Sequence, residues 1–459
     1  MHAFLAVVKQ TLRAAFRSKV FHVLLILTLL AVFLLPLTVT SDGTASNELK
    51  LSITYSLTAV TALLSVAAVW LGGTGVSREI ESYKLHMVRV KPIHPAVLWG
   101  GKWCAVFCLT GGIFLAAAAM IYGLIQYRIA YGDFSEDEID KARQEVLTGR
   151  RVIEPQQPDY EEFARQRYQQ MEERGQLPEN ESAEKILQDL RQDVRQQGSE
   201  VPFGGQRNWE YKNVNIKAGD KPAFVRYRLY VASTSEDEQR MTEGVWMIAN
   251  PNLPQEEQSG VLPQRVVGGA HHEFSFPAEI LEDAETFYIQ YVNRDPENET
   301  VVFQPTDVPQ IMVEVTGFTA NWFRATVVVL LRLAVLAAVG CLFGVAFSPP
   351  VAVFIAIAYL VLGVTANPSI GTPLAAALAG VEDVNWFEVI AHLIAVTVDK
   401  IVVSLNAFDV SFLLAKGRLV ELAHIARLLG VEVVLKGGLT AALGIWILNK
   451  RELGKVIRK

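Results

Sequence analysis

Long apolar runs flank one long polar stretch in this chain, and the lengths of the runs decide its class. A bilayer's hydrocarbon core takes about 20 apolar residues of helix to cross. Phe21 to Val39, Leu51 to Gly75 and Trp103 to Tyr127 each supply such a run without an internal charge. Beyond the polar stretch, Arg128 to about Phe318, the chain turns apolar again near Asn321. It turns at Ser348-Pro349-Pro350, continues through Val351 to Val364, and ends in a last run from Val431 to Leu448. The pattern predicts a mainly α membrane protein with six transmembrane helices, the first preceded by an amphipathic helix over Met1 to Lys19. Trp386 to Leu405 is also apolar but carries Glu388, His392, Asp399 and Lys400. Residues 384–430 are therefore expected to form re-entrant or interfacial helices on the outer face, tolerated at membrane depth only where protein or water covers the backbone.

The polar stretch, 128–318, changes period partway. Glu136 to Leu147, Tyr160 to Glu173 and Ala183 to Gln196 read as helices separated by Pro155, Pro158 and Pro178, which makes 135–200 a helical segment. Their apolar positions are sparse, so they are expected to pack on another element. From Trp209 the period becomes two, clearest where Val225, Tyr227, Leu229 and Val231 alternate with Phe224, Arg226, Arg228 and Tyr230. Further strands fit Thr242 to Ala249, Arg265 to Phe276, Thr286 to Asn293, Thr300 to Gln304 and Gln310 to Thr316. Short strands punctuated in this way predict an antiparallel β-sandwich over 207–318, and with the helices before it an extracytoplasmic α+β domain.

Charge orients the chain. Lys9, Arg13, Arg17 and Lys19 precede the first span with no acidic residue among them, which places the N-terminus in the cytoplasm. A cleaved signal peptide would have a shorter basic head. The loop Arg78 to Lys102 holds five basic residues against Glu79 and Glu81, and the chain ends in Lys450, Arg451, Lys455, Arg458 and Lys459 against Glu452. Both therefore belong to the cytoplasm, which requires an even number of crossings of the plasma (inner) membrane. Residues 131–318 carry a net charge of about −17 in a chain whose total is −6. All three cysteines, Cys104, Cys108 and Cys341, fall in apolar runs, so the outer domain lacks the disulfides of small secreted scaffolds.

Motifs of bond-making chemistry are sparse. No GxxxxGK[ST] phosphate loop occurs, so this chain does not split nucleotide in the P-loop manner, and Gly204-Gly205-Gln206-Arg207 is a chance echo of a transport-ATPase loop. His271-His272-Glu273 does not make a metal site, because adjacent strand residues point to opposite faces. Asn180-Glu181-Ser182 and Asn298-Glu299-Thr300 match a short glycosylation pattern and carry no argument. Charges within apolar runs count for more, since burying them in lipid is costly. Arg324 and Arg332 share a helix face eight residues apart, and Glu432 and Lys436 form an i, i+4 pair. Snorkelling and local pairing account for them, with a place on a substrate path as the functional alternative.

At the basic loop the chain resembles a family. Arg78-Glu79-Ile80-Glu81, Leu85, Val90-Lys91-Pro92-Ile93 and Gly101-Lys102 resemble the "REIE … L … KPI … GK" segment of membrane permeases of type-2 ABC exporters. The amphipathic helix before the first span, the Ser348-Pro349-Pro350 turn and Asn449-Lys450-Arg451-Glu452-Leu453 are similar too. The resemblance implies a coupling helix that docks into a separate cytosolic P-loop ATPase through Arg78, Glu79, Glu81, Lys84, Arg89, Lys91 and Pro92. It also implies a second permease copy or a similar subunit, with ATP and Mg held by the ATPase and no cofactor bound by this chain. The chain departs from the family at Ser82-Tyr83, at His94-Pro95 and in its outer insertion of about 190 residues.

The function expected is export, or mechanical work on an envelope partner, driven by ATP hydrolysis elsewhere. A membrane-anchored receptor or scaffold, whose outer sandwich binds a ligand without transport, is the alternative. The polybasic loop could equally meet anionic lipid. Nothing indicates nucleic acid, and no converging side chains suggest a membrane enzyme.

Overall fold

The computed structural model describes residues 2–38, 43–83, 93–178, 182–212, 222–232, 241–251, 262–281, 285–305, 307–365 and 386–451. The chain forms two compact units: the described parts of Met1–Gly149, Thr316–Ala377 and Val384–Lys459, and Arg150–Val315 between them.

Along the first unit run α1 (His2–Phe16), α2 (Lys19–Phe33), the short α3 (Leu35–Thr38), α4 (Ala45–Glu81), α5 (Pro95–Tyr131) and α6 (Glu136–Glu145). The expected amphipathic helix is α1, bent by 70° from α2 at Arg17-Ser18, where the Ser18 side chain caps α2 by accepting from the Phe21 N–H. Helix α4 runs to Glu81, past the Gly75 expected from the sequence: no proline interrupts it, and Ser77 donates to the Gly73 carbonyl. Arg78, Glu79 and Glu81 therefore belong to the helix itself rather than to a loop. Helix α5 starts at Pro95, whose missing N–H costs nothing at a first helical position, with His94 as its cap. A reciprocal Ser135–Glu138 capping box starts α6, which packs its Ala142 into the core of the first unit.

The second unit holds β1 (Thr148–Ile153), α7 (Tyr160–Glu173), α8 (Ala183–Gln197), β2 (Glu200–Val201), β3 (Gln206–Lys212), β4 (Ala223–Arg228) and β5 (Tyr230–Val231). Strands β6 (Met241–Ala249), β7 (Leu262–Val267), β8 (His271–Phe276), β9 (Thr286–Asn293), β10 (Val301–Val302) and β11 (Gln310–Gly317) follow. Two four-stranded sheets, ordered β1-β11-β4-β8 and β3-β9-β6-β7, share one core, with a small β2-β10-β5 sheet beside them. Tyr227 of the first sheet meets Trp246 of the second at 4.5 Å between ring centres, and Tyr291 and Phe303 complete an aromatic cluster. The continuous strand expected over Arg265 to Phe276 is divided between the two sheets. Gly269, with φ of +81°, makes the turn that a β-carbon would oppose. The alternation over Phe224 to Val231 is likewise split at Leu229. Helices α7 and α8 pack on each other, closing a small core of Ala164, Ile186 and Leu190, which is why so few apolar positions suffice.

The chain rejoins the first unit through α9 (Phe318–Ala346), α10 (Pro349–Thr365), α11 (Trp386–Ile401), α12 (Ser411–Ala415), α13 (Leu422–Arg427), a π-helical stretch over Leu428–Gly437 and α14 (Gly438–Lys450). Ala45–Glu81, Pro95–Tyr131, Phe318–Ala346 and Leu422–Lys450 are long and apolar enough to cross a membrane, and the bent α1–α2 pair makes a fifth if taken as one span. The glycines of α4 and α9 bring two backbones into contact. A β-carbon on Gly340 would lie 2.6 Å from the Val69 carbonyl oxygen, and one on Gly344 would lie 2.5 Å from that of Gly73. Small residues at such crossings are how apolar helices associate closely without a solvent-driven hydrophobic force.

Gly344→Ala is therefore expected to destabilise the protein by about 1–3 kcal/mol through overpacking. Gly112→Ala, with open space around it, should be neutral; thermal unfolding in detergent measures both. In the second unit, burial raises the pKa values of Tyr211, Tyr227 and Tyr291 above the ordinary value of 10.0. Their neutral phenols stabilise the fold fully below pH 10, and that contribution is lost above it as the unfolded chain ionises first. The near-ultraviolet circular dichroism of the aromatic cluster should persist to about pH 10 and collapse above it.

Candidate functional site

The segment expected to dock begins on the last turn of α4. Arg78 and Glu81 are exposed there, whereas Glu79 is half-buried and accepts a salt bridge from Lys102 on the second turn of α5. Lys84, Arg89, Lys91 and Pro92 lie outside the described residues, as does the tail beyond Arg451. Lys102 is buried, and stripping a buried ammonium of its partner costs several kcal/mol, so Glu79 is held as a strut between the two long helices. Around this pair α1, α4, α5, α9 and α14 converge through Val7, Val76, Trp99, Cys341, Val345 and Leu448. Gly101 lets α1 close on α5, since a β-carbon there would meet Val7 at 2.8 Å. Trp103 donates to the Ala334 carbonyl at 2.8 Å, and Arg451 donates to that of Val345. The arrangement is a rigid joint with Arg78 and Glu81 at its rim.

The four charges singled out within apolar runs gather elsewhere in the same unit, and three of them act alike. Between α11 and α13 the chain is mostly irregular yet buried, with Val402, Val403, Ser404, Leu405, Phe408 and Val410 all inside. Its polar backbone groups find side chains. Lys436 donates to the Val402 carbonyl at 2.9 Å, Arg332 to that of Leu405 at 3.5 Å and Arg324 to that of Val420 at 3.4 Å. The Val403 N–H donates to the Tyr359 hydroxyl at 3.0 Å, and Leu405 N–H to the Gly363 carbonyl at 2.8 Å. Asn321 both donates to the Arg418 carbonyl and accepts from the Val420 N–H, each at 2.8 Å. Such irregular backbone survives in apolar surroundings only when each polar group is met from within the protein.

Two polar atoms anchor the cations themselves. Arg332 donates from Nε to the Ser65 hydroxyl at 3.0 Å, which ties α9 to α4, and Glu432 pairs with Lys436 at 3.1 Å inside the π-helical stretch. The Lys436 ammonium meets both the Glu432 carboxylate and the Val402 carbonyl. The second carboxylate oxygen of Glu432 is buried without a hydrogen-bond partner among the described residues. Tyr359, Asn321 and Ser65 carry no motif in the sequence, and Lys102 stands there only as part of the family-like segment, without its pairing to Glu79. Each is a lone polar group within or beside an apolar run, the one signal that marks it.

His271, His272 and Glu273 serve the sandwich. His272 bonds the Val267 carbonyl at 2.8 Å, and Glu273 accepts from the buried Arg150 at 3.1 Å, with Arg226 3.7 Å away. Among the described residues no three His, Cys, Asp or Glu side chains gather in a way that could hold a metal. Two features of the first unit stand out: a joint at one end of α4 locked by Glu79 and Lys102, and an irregular buried loop held by side chains of α9, α10 and the π-helical stretch.

Replacing Lys436 with methionine should leave the Val402 carbonyl unmet and Glu432 without its cation, at a cost of at least about 1–3 kcal/mol, whereas Arg332→Met should cost less, because the Leu405 carbonyl keeps the Phe408 N–H at 3.2 Å. The Val403 and Leu405 amides should then exchange with deuterium roughly tenfold to a hundredfold faster, read by mass spectrometry of the detergent-solubilised protein. No protein-family model matches the chain, and no curated protein or solved structure matches it either.

Proposed function

We propose that this chain is the membrane-spanning subunit of an ABC-type exporter, driven by a separate P-loop ATPase that docks at the segment beginning with Arg78. The observation that carries this reading is the Glu79–Lys102 strut, which fastens two 37-residue helices together where the family-like segment joins them. A helix of that length is about 55 Å long, so a push delivered at the strut moves the far end of each helix as a lever. A solvated loop that only balances charge has no use for such a joint.

On this reading six helices cross the plasma (inner) membrane: α2 after the bend, α4, α5, α9, α10 and the last span from Leu422 to Lys450. Helix α10, 17 residues long, reaches about 25 Å and crosses where the bilayer is thin or protein lines it. The N- and C-termini and the docking segment face the cytoplasm, the Arg150–Val315 unit lies outside, and the clamped loop at 402–420 is re-entrant from the outer side. A second permease copy or a similar subunit supplies the other docking segment that a two-ATPase motor requires. ATP and Mg belong to the ATPase.

Because Glu79 is committed to Lys102, the exposed pair Arg78 and Glu81 makes the cleaner test. Arg78→Glu with Glu81→Arg should lower stimulation of the partner ATPase by at least about tenfold, which corresponds to about 1.4 kcal/mol of docking energy, while the melting temperature of the permease is unchanged. Undiminished stimulation would remove the docking assignment. Loss of an envelope ligand instead would favour an anchored receptor.

A further inference from the structure

One cleft in the second unit has a chemistry that neither the sandwich core nor the docking reading uses. It measures about 400 Å³, within the range of small-ligand sites, and is bordered by α8, by the segment leading into α7 and by the chain entering β11. On one side stand Arg191 and Arg195, one helical turn apart. Arg191 pairs with Glu161 at 3.6 Å, a carboxylate that it shares with Arg165 at 2.7 Å, and the Arg195 guanidinium has no ion-pair partner among the described residues. Like charges at i, i+4 on one helix face cost stability unless an anion lies across them. These two guanidiniums stand in a domain whose surface is otherwise strongly acidic.

The rest of the cleft is not a phosphate site. Glu154 lies in its wall, its carboxylate accepting from Gln310 at 3.0 Å, and would repel a multiply charged anion. The Gln157 amide offers donor and acceptor together, the Tyr160 ring adds a flat wall, and Pro305 and Val308 supply an apolar one. A positive side, a negative side, amides and an apolar wall together match a peptide. The planar fork of arginine meets a carboxylate through two parallel hydrogen bonds, and glutamate and glutamine meet backbone N–H groups.

We propose that this cleft binds a short peptide segment ending in a carboxylate, which Arg191 and Arg195 hold while Glu154 and Gln157 take its amide N–H groups. The site deepens the exporter reading by naming what the outer unit grips, and it stands independently of ATPase docking. The test uses the full-length protein in detergent and fluorescence anisotropy of two N-terminally fluorescein-labelled tetra-alanine peptides, one with a free C-terminal carboxylate and one amidated.

The free-acid peptide should bind saturably and at least about tenfold more tightly than the amide, a difference of about 1.4 kcal/mol. Arg191→Gln with Arg195→Gln should erase that difference, Arg195→Lys should keep part of it, and Arg174→Gln, outside the cleft, should leave it intact. Melting curves matching wild type show that the variants are folded. Equal affinity for acid and amide, absence of saturable binding, or a difference that survives the double substitution would overturn the proposal. So would inorganic phosphate competing as well as the free-acid peptide. Intact ATPase stimulation alongside any of these would show that the cleft assignment failed and the docking one did not.

Discussion

Everything in the first unit depends on how closely the backbones of α4 and α9 approach. Gly340 and Gly344 sit against the carbonyls of Val69 and Gly73, leaving no room for a β-carbon. In apolar surroundings packing and hydrogen bonds, rather than release of water, hold helices together, so a crossing this close sets the position of what is attached to either partner. Helix α4 carries Ser65 and, at its end, the proposed docking turn, and α9 carries Arg324 and Arg332. The strut to Lys102 and the clamp on the 402–420 loop are therefore referred to one rigid pair. A displacement at Glu81 would pass to the clamped loop through Ser65 and Arg332 without a soft segment between.

The clamp shows what charges within apolar helices are for in this chain. Arg324 and Lys436 offer N–H groups to the Val420 and Val402 carbonyls, and Arg332 adds a second donor to the Leu405 carbonyl, which also accepts from the Phe408 N–H. An irregular loop in such a place exposes acceptors that water would otherwise satisfy, and long cationic side chains reach them from neighbouring helices. The cations and the loop are two halves of one device. Ser65 and Glu432 hold two of the cations in place for it.

Much of this was legible in the sequence. The apolar runs, the break after the N-terminal helix, the alternation of the strands and the i, i+4 pairing of Glu432 with Lys436 follow from spacing alone. Helix ends were not: α4 overran its apolar stretch because nothing in Val76 to Glu81 stops a helix, and polarity alone does not end one. The Arg265 to Phe276 strand was misjudged because Gly268-Gly269 turns the chain between sheets while the residues on either side keep strand character. The backbone partners of Arg332 and Lys436 were invisible, since a carbonyl at Leu405 or Val402 has no signature in side-chain identity. The role of Glu79 was hidden for a related reason: Lys102 lies 23 positions away and meets it only once two helices are packed.

On the proposed reading, the Arg78–Glu81 turn is where a cytosolic motor engages the two-helix lever. The most direct measurement of that contact places a photo-crosslinking amino acid at position 81 in intact cells and identifies by mass spectrometry what is captured. The account predicts a cytosolic protein carrying a P-loop, crosslinked through the surface around its nucleotide site. Capture of lipid or envelope proteins alone, with no P-loop protein at any level of expression, would contradict it.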